Sequence, residues 1–486
     1  MKDILVFISD QHSWQQQGYA GDPIVRTPNL DRLAAEGTVM QNCYTPYPLC
    51  VPARMSMMTG QLASRCKVMS NMAALDSNRV TFAHCLNASG YETVLCGRMH
   101  FVGPDQRHGF SKRIAGEQTP IYHNRPNKAF ALERGVHDKT PQGGPSCLSV
   151  IGAGNSPTLE YDRYVVERAI DYLNGTYEAP QFICVGTYGP HHPYVAPKEL
   201  YEYYYDKVTI PADSFDYPEH PAIEGNILRD TDPEVVRAVR AAYYGMVEFE
   251  DQQIGIVYDA FQRYLERTGR EGVFVYVSDH GDQIGYRGYY GKSTFYDTSA
   301  HIPMIFVGDG IEKNRKIQGA TSLLDLGPTL CEMAGAMMPP NADGVSLYPQ
   351  LTGSPDNLER MVISELGGEI AFFTKKFSYG QMVKYGKFKY IHYYNYDEYD
   401  VLFDLDNDPN EAVNIIADYP ELVEKMRSVL LKACRPIEEI KENAKELNEN
   451  LEILVRCTYD NEDERWHAPE CARHYPEYMV KSKLVK

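Results

Sequence analysis

The strongest constraint on the fold is a recurrence, in which four β-rich runs of this chain each lead into acidic or basic side chains. Short, continuous apolar runs bounded by turn residues are typical of buried strands. The side chains that follow the four runs are Asp10, His100, His191 and the pair Asp279-His280. Because strand carboxyl ends share one edge in a doubly wound sheet, these residues would converge there. The pattern predicts an α/β protein with a doubly wound, mostly parallel sheet and a functional site at that edge.

The stretch from Cys50 to Gly60 predicts a helix that begins at a cysteine. Pro52 suits the first turn of a helix, where a missing N–H costs nothing. Cys50 would then lie at the helix N-terminus, where free N–H groups and the helix dipole favour an anion. Arg54 follows one turn later and can reach back over the same point. On residue types alone, a buried structural cysteine is the simpler interpretation.

The composition excludes several classes of function. The chain has 486 residues, enough for one large core and a second, smaller domain. Its formal net charge of -18 disfavours nucleic acid as a partner. No run approaches the roughly 20 apolar residues that span a membrane, and the opening residues resemble a strand rather than a leader. The 11 cysteines show neither zinc-site nor disulfide spacing. We therefore expect a cytoplasmic protein with no membrane partner.

Two further regions of the sequence bear on specificity. The segment from Ser111 to about Thr158 is rich in glycine, proline, asparagine and charge and has no clear period. We expect it to be a long surface excursion near the mouth of the site, where substrate specificity often resides. The 37 tyrosines cluster at residues 201–205 and 390–399, which suits packing or aromatic walls for a sugar or a quaternary ammonium group.

The order Cys50-x-Pro52-x-Arg54, followed by Thr59-Gly60, resembles the signature of type I sulfatases. The residues that follow His100 resemble the choline-sulfatase branch of that family, and the similarity extends from Asp3 to about Glu411. Other segments that resemble family motifs are Thr27-Pro28-Asn29-Leu30-Asp31-Arg32-Leu33, Gly97-Arg98-Met99-His100, Pro190-His191-His192-Pro193 and Ser278-Asp279-His280-Gly281 with Lys292 downstream.

The resemblance implies an alkaline-phosphatase-like fold with a smaller C-terminal antiparallel sheet. We expect a catalytic domain over residues 1–358, a small α+β domain over residues 359–455 and a tail over residues 456–486. The tail holds Trp466 and further aromatic residues, which are enriched at interface hot spots. Relatives of the choline-sulfatase type carry similar tails, so the resemblance implies that this tail builds a homo-oligomer. The alternative is that the tail packs back onto its own domain.

The resemblance also implies two cofactors. A formylglycine-generating or sulfatase-maturating enzyme would convert Cys50 to formylglycine (3-oxoalanine), whose hydrated aldehyde is the nucleophile. A divalent metal would be bound by Asp10, Gln11, Asp279, His280 and an oxygen of the modified Cys50. The family favours calcium, and hard carboxylate ligands suit calcium, magnesium or manganese. Because His280 replaces a common amide ligand, manganese and magnesium stay open, and Asp282 is either a further ligand or a neighbour of the ligands.

The resemblance implies roles for the remaining site residues in the hydrolysis of a small-molecule or saccharide sulfate ester. Arg54 would hold the hydrated aldehyde, while Arg98 and Lys292 would bind the sulfuryl oxygens as charge develops. His191 or Lys292 would assist the leaving alcohol, and both are expected to bind substrate. His100 would help the second hydroxyl to expel sulfate.

Departures from the family pattern keep other interpretations open. Gln11 stands where many relatives have a second aspartate, Arg98 where they have lysine, and His280 where many have asparagine. A phosphonate monoester or phosphodiester hydrolase of the same fold fits Gln11 and His280 equally well. An alternative of another class is a catalytically silent binding protein with an unmodified Cys50. His192 stands where the choline branch often has aspartate, so choline sulfate, a sulfated sugar and an aryl sulfate are all candidate substrates.

Overall fold

The structure is a computed structural model of the whole chain. It describes residues 1–119, 121, 123, 147–148, 150–215, 220, 222, 232–370, 377–457, 466 and 478–480. Within these residues, the strands are β1 (Asp3–Asp10), β2 (Thr38–Tyr44), β3 (Glu92–Gly97), β4 (Lys112–Ala115), β5 (Ile151–Ala153), β6 (Gln181–Pro190), β7 (Tyr194–Ala196), β8 (Gly272–Ser278), β9 (Met304–Gly308), β10 (Arg315–Ser322), β11 (Met361–Ile370), β12 (Phe377–Tyr385), β13 (Phe388–Tyr393), β14 (Val401–Asp404) and β15 (Tyr478–Val480).

The helices of the described residues lie between these strands and after them. They are α1 (Pro28–Glu36), α2 (Cys50–Thr59), α3 (Ala63–Cys66), α4 (Phe82–Ala88), α5 (Pro157–Leu173), α6 (Lys198–Tyr205), α7 (Pro233–Thr268), α8 (Asp297–Ala300), α9 (Leu326–Ala334), α10 (Tyr348–Leu351), α11 (Pro420–Ala433) and α12 (Ile437–Leu454). Among them, no helix combines the length and the apolar character that a membrane crossing requires.

An eight-stranded sheet in the order β10-β2-β9-β8-β1-β6-β3-β4 forms the centre of the molecule. The strand β9 runs antiparallel to both of its neighbours, and the other adjacent pairs are parallel. A separate four-stranded sheet, β11-β12-β13-β14, is antiparallel throughout. The predicted class, a mostly parallel doubly wound sheet with a smaller antiparallel sheet, is confirmed.

The central sheet is buried on both faces. Along β1, Ile4, Val6 and Ile8 belong to a core cluster on one face together with residues of α2. The alternate residues Leu5 and Phe7 belong to a second cluster together with residues of α5 and α7. A strand that is covered on both sides has no polar face, which is why the run reads as continuously apolar rather than alternating. Helices on both faces therefore hold the strand ends in fixed positions.

The strand register brings the predicted ends together. Ser9 of β1 lies opposite Ser278 of β8, and Asp10 lies opposite Pro190 of β6. Gly97 of β3 lies opposite Gly186 of β6. These strands are parallel, so the residues that follow them emerge along one edge of the sheet. The predicted convergence at the carboxyl edge is confirmed.

A buried ion group connects the antiparallel sheet to the short helix α8. Lys389 of β13 donates to the Asp297 carboxylate at 2.6 Å and also contacts Glu411. The helices α11 and α12 follow this sheet in the chain. The expected boundary at residues 358–359 falls in the connection between α10 and β11.

The described parts of the C-terminal tail lie on their own chain. The ring of Trp466 packs against Tyr161 of α5, with the ring centroids 5.3 Å apart. The backbone N–H of Trp466 donates to the carbonyl oxygen of Glu117 at 2.8 Å. The strand β15 pairs antiparallel with β5, which in turn pairs with β7. Residues 458–465, 467–477 and 481–486 lie outside the described residues. The tail thus packs on the catalytic domain in two places, and its role in an oligomer stays a prediction.

Candidate active site

The helix α2 presents Cys50 to the carboxyl edge of the sheet. Leu49 precedes the helix in an extended conformation, and Cys50 is its first residue, as predicted. Pro52 lies in the first turn, where no N–H is needed for the helical hydrogen bonds. Gly60 ends the helix with a φ of 69°, a conformation that glycine adopts without strain. All ten residues of the helix are buried, so Cys50 is held in a closed site rather than on a surface.

Four side chains offer ligand atoms to one point. The Sγ atom of Cys50 lies 3.1 Å from Nε2 of His280 and 3.7 Å from Oδ1 of Asp10. One ligand atom from each of Asp10, Cys50, Asp279 and His280 lies within 4.8 Å of the others, and all four residues are buried. Two carboxylates and an imidazole form a donor set that suits a divalent cation. The cluster is therefore a candidate metal centre.

Two buried arginines neutralise the carboxylates of this cluster. Arg54 donates from Nε to Asp279 at 2.7 Å and from Nη2 to Asp10 at 3.2 Å. Arg98 donates from Nε to the same Asp10 oxygen at 2.6 Å. Burial alone would raise the pKa of Asp10, but Arg98, His191 and Arg54 outweigh burial and hold that pKa well below its usual value. Asp10 is therefore ionised, as a metal ligand must be.

Arg98 is oriented by a carboxylate that the sequence interpretation missed. Its Nη1 contacts Glu117 at 3.4 Å and Thr119 at 3.1 Å, and its guanidinium lies 4.5 Å from the centre of the Tyr188 ring. Glu117 also accepts from the backbone N–H of His100 at 2.8 Å. Burial would raise the pKa of Glu117, but Arg98 and other cations lower it to about 2. Glu117 is therefore a charged anchor for both Arg98 and His100.

His100 is a neutral imidazole with a defined tautomer. Its Nδ1 lies 2.8 Å from Nη2 of Arg98, which can only donate, so the ring proton is on Nε2. Burial, and then Arg98, hold the pKa of His100 well below its usual value. The backbone φ of His100 is 62°, an uncommon value for a residue with a side chain, and the Glu117 hydrogen bond fixes it there. In this arrangement His100 offers an N–H donor from Nε2.

Lys292 and His191 form a hydrogen-bonded pair on the other side of the cluster. Nζ of Lys292 lies 2.6 Å from Nε2 of His191 and donates to Oε1 of Gln11 at 2.7 Å. Nδ1 of His191 donates to the carbonyl oxygen of His192 at 2.6 Å. That donation leaves Nε2 of His191 as an acceptor for the lysine. Burial, together with the nearby charge of Lys292, holds the pKa of His191 well below its usual value, so the ring is neutral.

Gln11 and Asp282 support this pair rather than stand apart from it. Nε2 of Gln11 donates to Asp282 at 2.5 Å, which turns its Oε1 toward Lys292. Asp282 also accepts from the Tyr194 hydroxyl at 2.9 Å and from the backbone N–H of Gly291 at 2.9 Å. Asp282 thus organises the loop that carries Lys292. The Oε1 atom of Gln11, the atom that would bind a metal, accepts a hydrogen bond from Lys292. The role of Gln11 as a metal ligand therefore stays a prediction.

The thiol of Cys50 lies in an electropositive environment. Burial and Asp10 oppose its ionisation, but Lys292 and His280 outweigh them and lower the pKa of Cys50 below its usual value. Lowered thiol pKa values mark reactive rather than structural cysteines. By contrast, burial raises the pKa of Cys43 and Cys184, which lie in the core. Cys50 is chemically distinct from these other buried cysteines.

A buried carboxyl pair supports the end of β6, just before His191. Asp162 of α5 accepts from the backbone N–H groups of Tyr188 at 2.6 Å and Gly189 at 2.9 Å. Glu250 of α7 accepts from Ser9 at 3.0 Å and from Thr187. A Cβ on Gly189 would lie 2.9 Å from Oδ2 of Asp162 and 3.1 Å from Oε2 of Glu250, so the backbone passes between the two carboxyl groups.

The ionisation of this carboxyl pair is suppressed at neutral pH. Burial raises the pKa of Asp162 to about 7. Burial, and then Asp162, raise the pKa of Glu250 well above its usual value. Two buried carboxyl groups in such proximity do not both ionise readily, so at least one of them keeps its proton at neutral pH. The strand that carries His191 therefore packs against a pair of acids that is not fully ionised.

Comparisons with known proteins agree with this geometry. Residues 2–336 match the Sulfatase family, and residues 285–435 match the C-terminal region of N-sulphoglucosamine sulphohydrolase. The chain is 32% identical over 446 residues to choline-sulfatase of Rhizobium meliloti (strain 1021), covering 85% of this chain and 82% of the relative. It is 26% identical over 465 residues to arylsulfatase K of Mus musculus, covering 88% of this chain and 79% of the relative.

A solved structure with the same fold is the phosphonate monoester hydrolase of Agrobacterium radiobacter. Its TM-score is 0.71 at 22% sequence identity, over 89% of this chain and 95% of that chain. The large, mostly parallel sheet and the smaller antiparallel sheet give this protein the alkaline-phosphatase-like fold. The match over residues 2–336 and the 32% identity to a choline-sulfatase then give the family. The chain belongs to the sulfatase family and is a sulfuric ester hydrolase.

We expect Glu250→Gln to flatten the dependence of stability on pH. The native pair binds protons with raised pKa values, so the native state holds more protons than the unfolded state between about pH 4 and pH 7. The free energy of unfolding therefore falls as pH rises through that window. Glutamine keeps an acceptor for Ser9 but removes the charge, so the fall should be smaller by on the order of 1–3 kcal/mol. Urea unfolding at a series of pH values measures it.

The matched control is Glu266→Gln, an exposed position on the same helix. It should leave the pH dependence of wild type unchanged, because an exposed carboxyl group has similar surroundings in both states. If Glu250→Gln and the wild type lose the same free energy of unfolding between pH 5 and pH 7.5, the carboxyl pair does not keep a proton in the native state.

Proposed function

We propose that this protein hydrolyses a sulfate ester to an alcohol and inorganic sulfate, with a nucleophile made from Cys50 by conversion to formylglycine. The observation that carries the proposal is the position of Cys50. It begins a buried helix, contacts Asp10 and His280, and lies beside the cations Arg54 and Lys292. An anion-binding helix terminus surrounded by cations and candidate metal ligands suits attack on a sulfuryl group. The identity to a choline-sulfatase supports the same chemistry.

The candidate metal centre fits a divalent cation. Asp10, Asp279, His280 and an oxygen of the modified Cys50 would bind it, with Gln11 as the further ligand inferred from the resemblance. The bound cation would supply positive charge to a sulfuryl oxygen. The resemblance to the family makes calcium the first choice. The nitrogen of His280 leaves manganese open, and magnesium is a further cation that the two carboxylates suit. Arg54 and Arg98 keep both carboxylates in ligand geometry by donating to them.

The remaining residues divide between the two halves of the substrate. Arg98 and the Nε2–H of His100 are the donors for the sulfuryl oxygens, and Arg54 would hold the hydrated aldehyde. Lys292 donates a hydrogen bond to Nε2 of His191 across 2.6 Å, so this pair can deliver a proton to the leaving alcohol oxygen through either residue. The expected help of His100 in expelling sulfate requires its Nδ1 to accept a proton, because Nε2 already carries one. The hydrogen bond from Arg98 to Nδ1 must therefore loosen in that step.

The partners of the protein follow from the chemistry of Cys50. All ten residues of α2 are buried, so a formylglycine-generating or sulfatase-maturating enzyme would reach Cys50 before the chain folds. We further propose a cytoplasmic location, which is supported by the ten cysteines described in the structure, all of them free thiols. A homo-oligomer built by the C-terminal tail completes the proposal.

Sulfate esters, rather than phosphonate esters, are the proposed substrates. The phosphonate monoester hydrolase has the same fold at 22% identity, so the fold alone does not separate the two activities. Rates on nitrophenyl sulfate and on a nitrophenyl phosphonate ester separate them directly. We expect the matured protein to have the higher kcat/KM on the sulfate, and a higher value on the phosphonate would reverse the assignment.

Replacement of Cys50 by alanine should abolish turnover and leave the fold intact. One small side chain is lost at a helix end, while the nucleophile disappears, so kcat should fall by at least about a thousandfold. Intact-mass analysis of the Cys50 peptide in the wild type should reveal the conversion of the thiol to the aldehyde. Cys66→Ala removes another buried thiol, and its kcat should stay near that of the wild type. Normal turnover by well-folded Cys50→Ala protein would rule out the formylglycine nucleophile.

Chelation should remove activity, and one divalent cation should restore it. Asp279→Asn deletes a charge from the ligand group, so metal affinity should fall about 10- to 100-fold or more. Isothermal titration of calcium and manganese into metal-free protein measures the affinity and identifies the preferred ion. Asp259→Asn, at a half-exposed position on α7, should leave the affinity unchanged. A metal-free protein that works at full rate would contradict the metal centre.

Removal of the residues after Asp460 should lower the oligomeric state. The deleted segment contains Trp466, whose ring packs on Tyr161 and Tyr164 of its own chain. If the rest of the tail joins two subunits, light scattering will give a smaller molar mass for the truncated protein, with an unchanged circular dichroism spectrum. A full-length protein that is already monomeric, or an oligomer that survives the truncation, would assign the tail to intrachain packing alone.

A further inference from the structure

The imidazole of His192 is a buried polar group of the site that the proposed mechanism does not use. The residue is 1% exposed, and neither ring nitrogen has a hydrogen-bond partner among the described residues. The neighbouring rings of His100, His191 and His280 each have one. A buried donor or acceptor without a hydrogen-bond partner costs free energy, and such unpaired groups are rare in natural protein structures. The ring of His192 is therefore available to a molecule that enters the site.

The position of the ring is defined by its neighbours. Its centroid lies 4.0 Å from that of His191 and 6.0 Å from that of Tyr194. The carbonyl oxygen of His192 accepts a hydrogen bond from Nδ1 of His191, so the backbone of His192 is fixed to the Lys292–His191 pair. The titratable groups that act electrostatically on the ring are Lys292, Asp10, His280 and Arg98, and the first three also act on Cys50.

The protonation state of His192 is also defined. Burial, and then Lys292, hold the pKa of His192 well below its usual value, so its imidazole is neutral. A neutral imidazole carries one N–H donor and one nitrogen acceptor. A hydroxyl group matches both, because it can accept from one atom and donate to another. A quaternary ammonium group offers neither, and a plain aromatic ring offers no comparable donor or acceptor.

The ring belongs to the half of the site that receives the alcohol. His191 and Lys292 form the pair that would protonate the leaving oxygen, and His192 packs directly on His191. The sulfuryl half has its own donors in Arg98 and His100. A substrate group that meets His192 therefore lies near the ester oxygen but on the alcohol.

We propose that His192 is a substrate-contacting, specificity-determining residue whose imidazole pairs with a hydroxyl next to the sulfate ester, and that the substrates are sulfate esters of polyhydroxylated alcohols such as sugars. This inference rests on the proposed sulfate-ester hydrolysis and names the substrate class for it. Sulfate esters of choline and of simple phenols lack such a hydroxyl, and the enzyme should process them less efficiently.

The test replaces His192 by phenylalanine, which keeps a planar ring of similar size and removes both nitrogens. The 2-, 3- and 4-monosulfates of glucose, each of which has a hydroxyl on a carbon next to the ester-bearing carbon, are paired with deoxy analogues that lack such a hydroxyl. We expect the wild type to prefer the hydroxylated partner about 10- to 100-fold in kcat/KM and His192→Phe to lose most of that preference. Rates on the deoxy sugar sulfate and on nitrophenyl sulfate should change less than about threefold. His192→Gln, which offers both a donor and an acceptor, should recover part of the preference.

A matched control is His108→Phe. His108 is another buried histidine, and it packs on Phe101 and contacts Asp105 outside the cluster around Cys50. This variant should keep the wild-type preference between hydroxylated and deoxy substrates. If His192→Phe loses kcat/KM equally on the hydroxylated and the deoxy member of each pair, His192 is a structural or catalytic group and not a specificity determinant. If the wild type shows no preference between the two members, the proposed substrate class is wrong.

A binding measurement separates this proposal from the proposed function. Cys50→Ala protein is titrated with a glucose monosulfate and with inorganic sulfate, and the double variant Cys50→Ala/His192→Phe is titrated alongside. We expect the double variant to bind the sugar sulfate about tenfold more weakly and inorganic sulfate with unchanged affinity. If the wild type hydrolyses no sulfate ester, the proposed function fails, while this titration still decides whether His192 contacts the sugar. Equal affinities of Cys50→Ala and the double variant for the sugar sulfate would show that His192 makes no such contact.

Discussion

The ion pairs of Asp10 with Arg54 and Arg98 are the interaction on which the site depends. Two carboxylates that emerge from adjacent parallel strands would repel each other in a buried position. Arg54 bridges them, since it donates to both Asp10 and Asp279, and Arg98 adds a second donor to Asp10. Removal of either arginine would leave a buried charge unpaired, at a cost of about 3–5 kcal/mol. Arg54 lies on the helix that carries Cys50, so its bonds to Asp10 and Asp279 also fix that helix to the sheet edge.

A second layer of buried acids holds the first. Glu117 binds Arg98 and the backbone of His100, and Asp282 binds Gln11 and the Lys292 loop. The tail adds a third contact, because Trp466 donates to the carbonyl oxygen of Glu117. Each layer fixes the rotamers of the one before it, which is the condition for a preorganised site.

The sequence alone predicts those parts of the fold and site whose residues follow a strand pattern or belong to a local motif. Asp10, His191 and Asp279 could be predicted at one edge because each directly follows a buried apolar run, and Cys50 could be predicted at a helix start from Pro52. Glu117 could not be predicted, because its segment has no period and was expected to be a surface excursion, whereas β4 joins the central sheet. The pairing of Asp162 with Glu250 depends on how two distant helices pack, which no local pattern contains.

The charges of the cluster explain why a negatively charged protein can bind an anion. The net charge of -18 belongs to the chain as a whole, and water and salt screen the part of it that is exposed at the surface. Inside the site the three cations Arg54, Arg98 and Lys292 lie among the four carboxyl groups of Asp10, Asp279, Glu117 and Asp282, so these groups alone supply no excess of positive charge. A bound divalent cation would then supply the excess positive charge that a sulfate ester requires. Because this excess is local, the same arrangement favours one sulfate group on a largely neutral alcohol over a long polyanion, whose other charges would meet the acidic surface.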